Sequence, residues 1–316
     1  MAKAEPSARQ SYIRQGPIIP HSLEKPRYYQ ISVRLRRHGI QRFDRKVLIL
    51  MPAAPIISEK HGHVTTITLN RPEAMNAITP QMLQDLNKAF KAADDDMDTR
   101  VVLLTGAGRA FCSGLDLKQA SAGEGISGSL TRSDSASHYS TREICTVTLQ
   151  RMDTPVIGVI NGAAAGYGLD LALGCDIRLM SDDAKLLPGF AKMGVIPESG
   201  GTWYLPRLLG WAKACEIAML GDPLSAPSAL NYGLVNKTVP GPALMDEARS
   251  WALKIADNSP LAILEMKRLF RHGLTQDFES HSHHVLMSVL NLFNSRDFGE
   301  AVTAYMEKRP PHFEGR

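Results

Sequence analysis

The chain has 316 residues, of which 44% are hydrophobic and 22% are charged, as is usual for a globular protein. A chain of this length buries a sizeable core without disulfides or metal ions, and no apolar run approaches the roughly 20 residues that a membrane helix needs. Its four cysteines are far apart and form no Cys-x-x-Cys pair, which predicts reduced thiols in an intracellular, cytoplasmic protein.

The net charge of +4 comes from the N-terminal segment of the chain. Residues 1–50 contain eleven Lys or Arg and three acidic residues, whereas the remaining residues contain 25 basic and 29 acidic ones. The body is therefore net acidic, which argues against a nucleic-acid-binding surface there. We predict that residues 1–50 form a basic, disordered extension; a transit peptide for organellar targeting and a basic docking arm remain the alternatives.

Periodic structure begins near residue 63. Val64–Leu69 alternates between apolar and polar residues as a half-buried strand does, and residues 70–72 end the strand. Residues 79–93 follow as a predicted helix, because Thr79 is a favoured capping residue and Pro80 is favoured at the first helical position.

The middle of the chain alternates between apolar strands and helices. Residues 101–104 and 156–160 are fully apolar, as expected for strands that are covered on both faces, and residues 176–179 are predicted as a further strand. Residues 121–140 are rich in Ser and Gly without an apolar period, which is typical of a lid or a disordered loop. This alternation indicates an α/β fold.

The last part of the chain is predicted to be entirely helical. The predicted helices cover residues 243–257, 260–271, 278–294 and 297–308. We therefore divide the chain into a basic extension at residues 1–50, an α/β core at 51–250 and a C-terminal helical section at 251–316.

Three segments contain candidate functional residues, and the first spans residues 106–117. Within it, Ser113-Gly114 permits a tight turn, because glycine adopts backbone angles that other residues resist. Such a turn directs the following amide toward a ligand. The alternative is an ordinary loop between a strand and a helix.

The second segment spans residues 161–176. A strand ends, small residues follow, and a short helix is predicted to begin near Gly168. Unpaired amides at the start of a helix stabilise an anion. The alternative is plain packing of a helix on a sheet, with Asp170 in the first turn serving only the helix dipole.

The third segment spans residues 190–202 and contains Glu198. This carboxylate lies between an apolar run and a glycine turn. Beside Ile196 and Pro197 its pKa would be raised if the group were desolvated, which suits proton transfer. The alternative is a solvated glutamate at the start of a helix.

The sequence lacks the motifs of dinucleotide-binding, phosphate-binding, serine-hydrolase and metal sites. Neither glycine segment has the third glycine of a dinucleotide fingerprint, and neither a P-loop nor a G-x-S-x-G elbow is present. His281 and His284 share a predicted helix face next to His283, but no carboxylate or cysteine partner is near them in sequence. We assign these histidines to solvent or to helix packing, and we predict no metal site.

In this order and spacing the segments resemble the crotonase (enoyl-CoA hydratase/isomerase) superfamily over about residues 57–313. The matching stretches are residues 70–77, 110–117, 155–157, 161–176, 196–201, 233–235 and 301–310. The resemblance implies a crotonase-like spiral of ββα turns with a helical C-terminal section that assembles the chain into trimers or hexamers. Residues 1–50 lie outside the resemblance.

The resemblance also implies an acyl-CoA substrate, with coenzyme A entering as part of the substrate and no separate cofactor. Two backbone amides of the family bind the thioester oxygen, and their positions fall on Leu115 and Tyr167. Such donors stabilise an enolate more than a carbonyl, and the loss of one commonly costs ~10²–10³ in rate. The implied substrate-binding residues are Ala74, Met75, Ala77, Ser113, Gly114, Asp116, Lys118, Gly166, Phe190 and Lys308.

The acids depart from the pattern of the family's hydratases, which use two glutamates. The first position falls on Asp170 and the second on Phe190, which cannot ionise. Glu198, however, occupies a position where certain isomerases of the family carry their acid. Our hypothesis is that Glu198 is the main acid/base in double-bond migration and that Asp170 supports it or a bound water. A hydratase that uses Asp170 and Glu198 together is the alternative.

More distant functions remain alternatives. Members of the superfamily also cleave C–C bonds, hydrolyse thioesters or remove halogens, and the fold does not decide among these reactions. A non-catalytic RNA- or CoA-binding protein is an alternative of another class, which the Arg-rich residues 1–50 keep open. The acidic body and the retained acids Asp170 and Glu198 favour an enzyme over this alternative.

Overall fold

A computed structural model describes residues 28–35, 43–50, 54–121 and 144–316. The chain divides into two units, residues 1–53 and residues 54–316. Most of the Ser- and Gly-rich segment that was predicted as a lid or loop, from residue 122 onward, lies outside the described residues.

The first unit contains two paired strands. Strands β1 (Tyr28–Leu35) and β2 (Phe43–Leu50) are antiparallel, with Tyr28 opposite Leu50. The sequence analysis predicts no regular structure here, because residues 1–50 are basic and lack sustained periodicity. The described residues of this unit therefore differ from the predicted disordered extension.

The larger sheet of the second unit has six strands among the described residues, in the order β12, β9, β7, β5, β4, β3. All neighbouring strands are parallel except β3 and β4, which form an antiparallel pair. The strands are β3 (Ile56–His61), β4 (Val64–Leu69), β5 (Val101–Gly106), β7 (Val156–Ile160), β9 (Ile177–Ser181) and β12 (Lys237–Val239). The predicted strands of the sequence analysis all fall in this sheet.

A smaller sheet of short strands carries the functional segments. In the part of the chain that the structure describes, its order is β11, β10, β8, β6. The strands are β6 (Ala110–Cys112), β8 (Ala163–Ala165), β10 (Lys185–Leu187) and β11 (Leu224–Ser225). Strands β6 and β8 are parallel neighbours with Cys112 opposite Ala164. Their carboxyl ends therefore meet at one edge of the sheet, where residues 113–116 and 166–170 begin.

The core lies on both faces of the larger sheet. On β5, Val102 and Leu104 pack into a cluster that includes helix α1 (Pro80–Asp95), while Val101 and Leu103 pack into a second cluster. Successive side chains of a strand point to opposite faces, so a strand buried on both sides is apolar at every position. Helix α1 begins where predicted, because the Thr79 hydroxyl accepts the Met82 N–H at 3.1 Å.

The helices of the core are short and connect the strands. They are α2 (Leu117–Ser121), α3 (Cys145–Arg151), α4 (Tyr167–Leu173), α5 (Gly201–Leu209), α6 (Trp211–Leu220) and α7 (Ala226–Asn231). Helix α4 follows β8 directly, and α5 begins immediately after the segment that contains Glu198.

Four helices form the C-terminal section, and each agrees with its predicted bounds to within two residues. They are α8 (Leu244–Ala256), α9 (Pro260–Gly273), α10 (Phe278–Phe293) and α11 (Arg296–Glu307). Helix α9 is tied to the core by ion pairs, because Arg268 and Arg271 both contact the Asp153 carboxylate at 2.5 Å. Among the described residues, no helix has both the length and the apolar composition that a membrane span requires.

Candidate active site

Leu115 follows strand β6 and pairs with Ile78 in an isolated parallel bridge. The Ile78 N–H donates to the Gly114 carbonyl at 2.7 Å, and the Asp116 N–H donates to the Ile78 carbonyl at 2.9 Å. Because both neighbours of Leu115 bond to Ile78, the N–H of Leu115 itself points to the opposite side of the segment. No hydrogen bond among the described residues uses this N–H.

Tyr167 is the first residue of α4, directly after Gly166, whose φ of 50° lies in the region that favours glycine. The helix begins with the Asp170 N–H, which donates to the Gly166 carbonyl at 3.1 Å. Within the described ranges, the Tyr167 N–H has no protein acceptor. The phenol is buried in the core beside the Cys145 thiol, and burial raises its pKa well above the ordinary value. The backbone amide is therefore the part of Tyr167 that can serve a ligand.

The segments of Leu115 and Tyr167 pack backbone against backbone. A methyl group on Gly114, whose φ is +93°, would lie 3.6 Å from the Tyr167 nitrogen. A methyl group on Gly168 would lie only 2.3 Å from the Cys112 carbonyl oxygen. Glycine at both positions allows this close approach of the two backbones. The approach brings the unpaired N–H groups of Leu115 and Tyr167 to the same edge of the smaller sheet.

The loop of Ala74, Met75 and Ala77 lies against the Leu115 segment. Ser113 donates its N–H to the Met75 carbonyl at 3.0 Å and its hydroxyl to the Ala74 carbonyl at 3.4 Å. Met75 has a positive φ of 51° and a half-exposed side chain, while Ala77 is buried. The structure thus joins the predicted substrate-binding residues 74–77 to residues 113–116.

Asn76 and Arg71 organise this loop, although the sequence pattern gave neither of them a role. Asn76 is fully buried with a φ of 56°, and its side-chain amide donates to the Ala110 carbonyl at 2.8 Å. Arg71 contacts the Asp116 carboxylate at 3.0 Å. Desolvation alone would raise the pKa of Asp116, but the hydrogen bond and charge of Arg71, together with the backbone N–H groups of Gln119 and Lys118, outweigh it and hold the pKa below its ordinary value. Both residues lie within the 70–77 motif, and this was the one feature of the sequence that could have pointed to them.

Asp170 is completely buried in the first turn of α4. Its Oδ2 accepts the Ser199 N–H at 2.9 Å, whereas Oδ1 lies against the Gly201 backbone and has no hydrogen bond among the described residues. Burial raises the pKa of Asp170 to about 7; the amides of Gly201 and Ser199 oppose this rise and Glu198 adds to it. A carboxyl group that titrates near neutral pH is suited to proton transfer.

The raised pKa of Asp170 makes the stability of the protein depend on pH. The ordinary pKa of 3.8 applies to the unfolded chain and a value of about 7 to the folded one. The folded state therefore holds the proton more tightly, and the free energy of unfolding falls by up to roughly 4 kcal/mol as pH rises through this window. Asp170→Asn should remove this fall, so its stability relative to wild type rises between about pH 4 and about pH 7 and levels off above that range. Urea titrations across this range measure the difference, and parallel profiles for the two proteins would contradict it.

Glu198 lies next to Asp170 but in a different environment. Its side chain is exposed, and the neighbouring Ile196 is 67% exposed and leaves it uncovered. The desolvation that the sequence suggested for Glu198 is therefore not found, and Asp170 is the acid that burial perturbs. The charge of Glu198 nevertheless reaches both Asp170 and Tyr167, whose pKa values it raises. The bond from the Ser199 N–H to Asp170 therefore brings the segment of Glu198 against the first turn of α4, which begins at Tyr167.

Phe190 is buried in the core cluster and precedes a short 3-10 helix, Ala191–Met193. Its ring supplies packing and no ionisable group. The assignment of this position to the second glutamate of the family's hydratases stays a prediction from the resemblance.

Two predicted binding lysines are exposed cations. Lys118 lies on α2, two residues after Asp116, and Lys308 follows α11 with a φ of 55°. Across the described ranges no hydrogen bond joins Lys308 to residues 74–77, 113–116 or 166–170, so its part in the site stays a prediction. In the part of the chain that the structure describes, no group of three or more His, Cys, Asp or Glu side chains is arranged to hold a metal ion.

Comparison with known proteins gives a consistent result. The family model described as Enoyl-CoA hydratase/isomerase matches residues 59–316. A probable enoyl-CoA hydratase of Rhodobacter capsulatus is 35% identical over 253 residues, which cover 80% of this chain and 95% of that protein. The 1,2-epoxyphenylacetyl-CoA isomerase of Escherichia coli is 34% identical over 262 residues, which cover 83% of this chain and 98% of that protein.

Solved structures agree with the sequence matches. The structure of an enoyl-CoA hydratase from Bacillus anthracis matches with a TM-score of 0.75 and 32% sequence identity, over 83% of this chain and 100% of that chain. The predicted α/β class, with parallel sheets and a helical C-terminal section, is confirmed. Since the family match covers most of the chain and includes both glycine segments and both acids, the chain belongs to the enoyl-CoA hydratase/isomerase (crotonase) family of enzymes.

Proposed function

We propose that this enzyme moves the double bond of an enoyl-CoA thioester, with Glu198 as the acid/base. The observation that carries the proposal is the contrast between buried Asp170 and exposed Glu198, whose segments meet at the bond from the Ser199 N–H to Asp170. Phe190, at the position that the resemblance assigns to the second hydratase glutamate, is buried and cannot ionise. One accessible carboxylate suffices to carry a proton from one carbon to another. Addition of water is easier with two groups that position and split it.

The chemistry is a proton transfer through an enolate. Glu198 takes a proton from C2 of a 3-enoyl thioester, and the electron pair moves onto the thioester oxygen. The N–H groups of Leu115 and Tyr167 stabilise that oxygen as its charge develops. The electrons then return through the conjugated system, C4 takes the proton from Glu198, and a 2-enoyl thioester results. No electrons leave the substrate, so the transfer needs no separate cofactor.

We infer that residues 74–77 and 113–116 bind coenzyme A, as the family resemblance implies. The half-exposed Met75 offers an apolar surface on this loop, and the exposed ammonium of Lys118 is a cation suited to a phosphate. Gly166 and Phe190 would line the acyl side of the site, and Lys308 would contribute a further cation.

A hydratase that uses Asp170 and Glu198 together is the second candidate. The observation in its favour is that the pKa of Asp170 is about 7 and that the charge of Glu198 contributes to this rise. The relative in Rhodobacter capsulatus is named a probable enoyl-CoA hydratase, whereas that in Escherichia coli is named an isomerase. Product analysis separates the two reactions.

The test offers the purified enzyme 3-enoyl-CoA and 2-enoyl-CoA thioesters of several chain lengths and identifies the products by chromatography and mass. We expect 3-enoyl-CoA to become 2-enoyl-CoA, with little 3-hydroxyacyl-CoA from either substrate. Faster formation of 3-hydroxyacyl-CoA than of the isomer would replace the proposal by the hydratase. Turnover of neither substrate would refute both candidates.

We also propose that the C-terminal helices assemble the enzyme into trimers or hexamers. Apolar side chains are exposed along α9, α10 and α11 in the single chain, and large exposed apolar patches usually mark interfaces. They include Met266, Phe270, Phe278, Leu286, Phe293 and Tyr305. Sedimentation analysis of the full chain measures the oligomeric state, and a monomer at every concentration would contradict this assembly.

A further inference from the structure

The loop proposed for coenzyme A and the segment of the Leu115 amide are hydrogen-bonded to each other along their length. At one end, the Ser113 N–H donates to the Met75 carbonyl at 3.0 Å. At the other end, Ile78 bonds at 2.7 and 2.9 Å to the two residues that flank Leu115. A displacement of residues 74–77 therefore cannot leave the direction of the Leu115 N–H unchanged.

Arg71 reinforces this connection from one side. Its Nη1 donates to the Ala77 carbonyl, and its Nη2 donates to the Asp116 carboxylate at 3.0 Å. The side chains of Arg71 and Asp116 are only 21% and 12% exposed, so water screens the ion pair weakly. Because a guanidinium is planar and its donors point in fixed directions, the two bonds hold Ala77 and Asp116 at a set separation.

Asn76 locks the backbone of the loop at the same place. The Arg71 N–H donates to the Asn76 side-chain oxygen at 2.9 Å, and the Asn76 amide donates to the Ala110 carbonyl at 2.8 Å on the strand that leads to Leu115. The loop thus has a defined conformation before any ligand binds, and Arg71 contacts both of its ends.

We propose that Arg71 is a positioning residue that couples the coenzyme A loop to the oxyanion amide through Asp116. The inference rests on the proposed function, because it needs residues 74–77 to bind the nucleotide and the Leu115 N–H to bind the thioester oxygen. Through Ala77, Arg71 holds the loop, and through Asp116 it holds the peptide unit next to Leu115. A small shift that the nucleotide imposes on this preformed loop is transmitted to the Leu115 amide, which is next to Asp116 in the chain.

The coupling has a consequence for the rate constants. Binding energy from a remote part of a substrate raises kcat when it positions the groups that act in the transition state, and truncated substrates then lose kcat as well as affinity. An enoyl group on pantetheine, which lacks the nucleotide, should therefore react with a lower kcat than the same group on coenzyme A. Without the bond between Arg71 and Asp116, the nucleotide still binds the loop but loses much of this effect on kcat.

The experiment measures kcat and KM for one enoyl group carried by coenzyme A and by pantetheine. In Asp116→Asn we expect the kcat on the coenzyme A ester to fall about tenfold more than the kcat on the pantetheine ester, a typical size for coupling between sites. Because residues 113–116 are themselves proposed to bind coenzyme A, the KM is measured separately, and the ratio of the two kcat values is the readout of the coupling. Arg71→Lys keeps the charge but cannot hold both acceptors in a fixed fork, so its loss should be intermediate.

Glu247→Gln is the matched control, because Glu247 is also an ion-paired, partly buried carboxylate but lies on α8 and bonds to Lys237. It should leave the ratio of the two kcat values unchanged. Thermal melts of every variant identify loss of folding. If Asp116→Asn does not fold, Arg71→Lys takes its place as the test of the coupling.

Equal losses of kcat on both esters in Asp116→Asn and Arg71→Lys would overturn the coupling and leave a purely structural role. A wild-type enzyme with the same kcat on both esters would overturn it as well. Absence of turnover with either ester in the wild type would instead refute the proposed function, and the coupling with it.

Discussion

Glu198→Gln should lower the rate of double-bond migration by about 10³-fold, within the range that a positioned acid/base contributes. The amide has nearly the shape of the carboxylate but cannot accept a proton from carbon. Because Glu198 is exposed and no hydrogen bond among the described residues uses its carboxylate, folding and KM should stay close to wild type. Initial rates with a 3-enoyl-CoA ester, together with a thermal melt, measure both effects.

Asp170→Asn is the informative comparison for this prediction. Asn can still accept the Ser199 N–H that Asp170 accepts at 2.9 Å, so the turn before α5 is preserved. We expect a smaller loss of rate than for Glu198→Gln, because Asp170 is buried and supports the acid without carrying the proton itself. Hydration of a 2-enoyl ester that survives Glu198→Gln but is lost in Asp170→Asn would reverse the assignment of the acids.

Gly168→Ala should remove most of the activity, because the added methyl group would clash with the neighbouring strand. That group would lie 2.3 Å from the Cys112 carbonyl oxygen and 2.6 Å from the Cys112 Cβ, so backbone must move. The strand of Cys112 leads to Leu115, and Gly168 follows Tyr167, so the two amides are pushed apart. We expect a loss of ~10²–10³ in kcat, as when one oxyanion donor is removed.

The same substitution should also destabilise the protein, because overpacking of a close contact typically costs about 1–3 kcal/mol. Gly299→Ala is the matched control, since Gly299 lies within α11 and an added methyl group meets nothing within 4 Å. It should keep full activity and gain up to roughly 1 kcal/mol from the better helix propensity of Ala. Full activity of Gly168→Ala would show that the two amides do not act together.

Helices and strands could be predicted from the sequence wherever the buried residues recur at a regular helical or strand spacing. Val101–Gly106 is buried at every position and α1 shows one apolar stripe, so local pattern and tertiary packing agree. Strands β1 and β2 were not predicted, because the basic composition of residues 1–50 favoured an extension, although Tyr28–Leu35 alternates between polar and apolar residues.

By itself, the sequence determined which chemical groups are present: two carboxylic acids, Asp170 and Glu198, an apolar Phe190, and glycines where backbones must approach closely. Only the tertiary structure decided which acid is perturbed. It buries Asp170, whose Oδ2 accepts the N–H of Ser199, 29 residues away, and it leaves Glu198 exposed, which was one of the two alternatives that the sequence left open. The pairing of Arg71 with Asp116 likewise joins residues 45 apart in the chain. Desolvation and hydrogen-bond partners depend on segments that meet only after folding, and therefore neighbouring residues in the sequence do not reveal them.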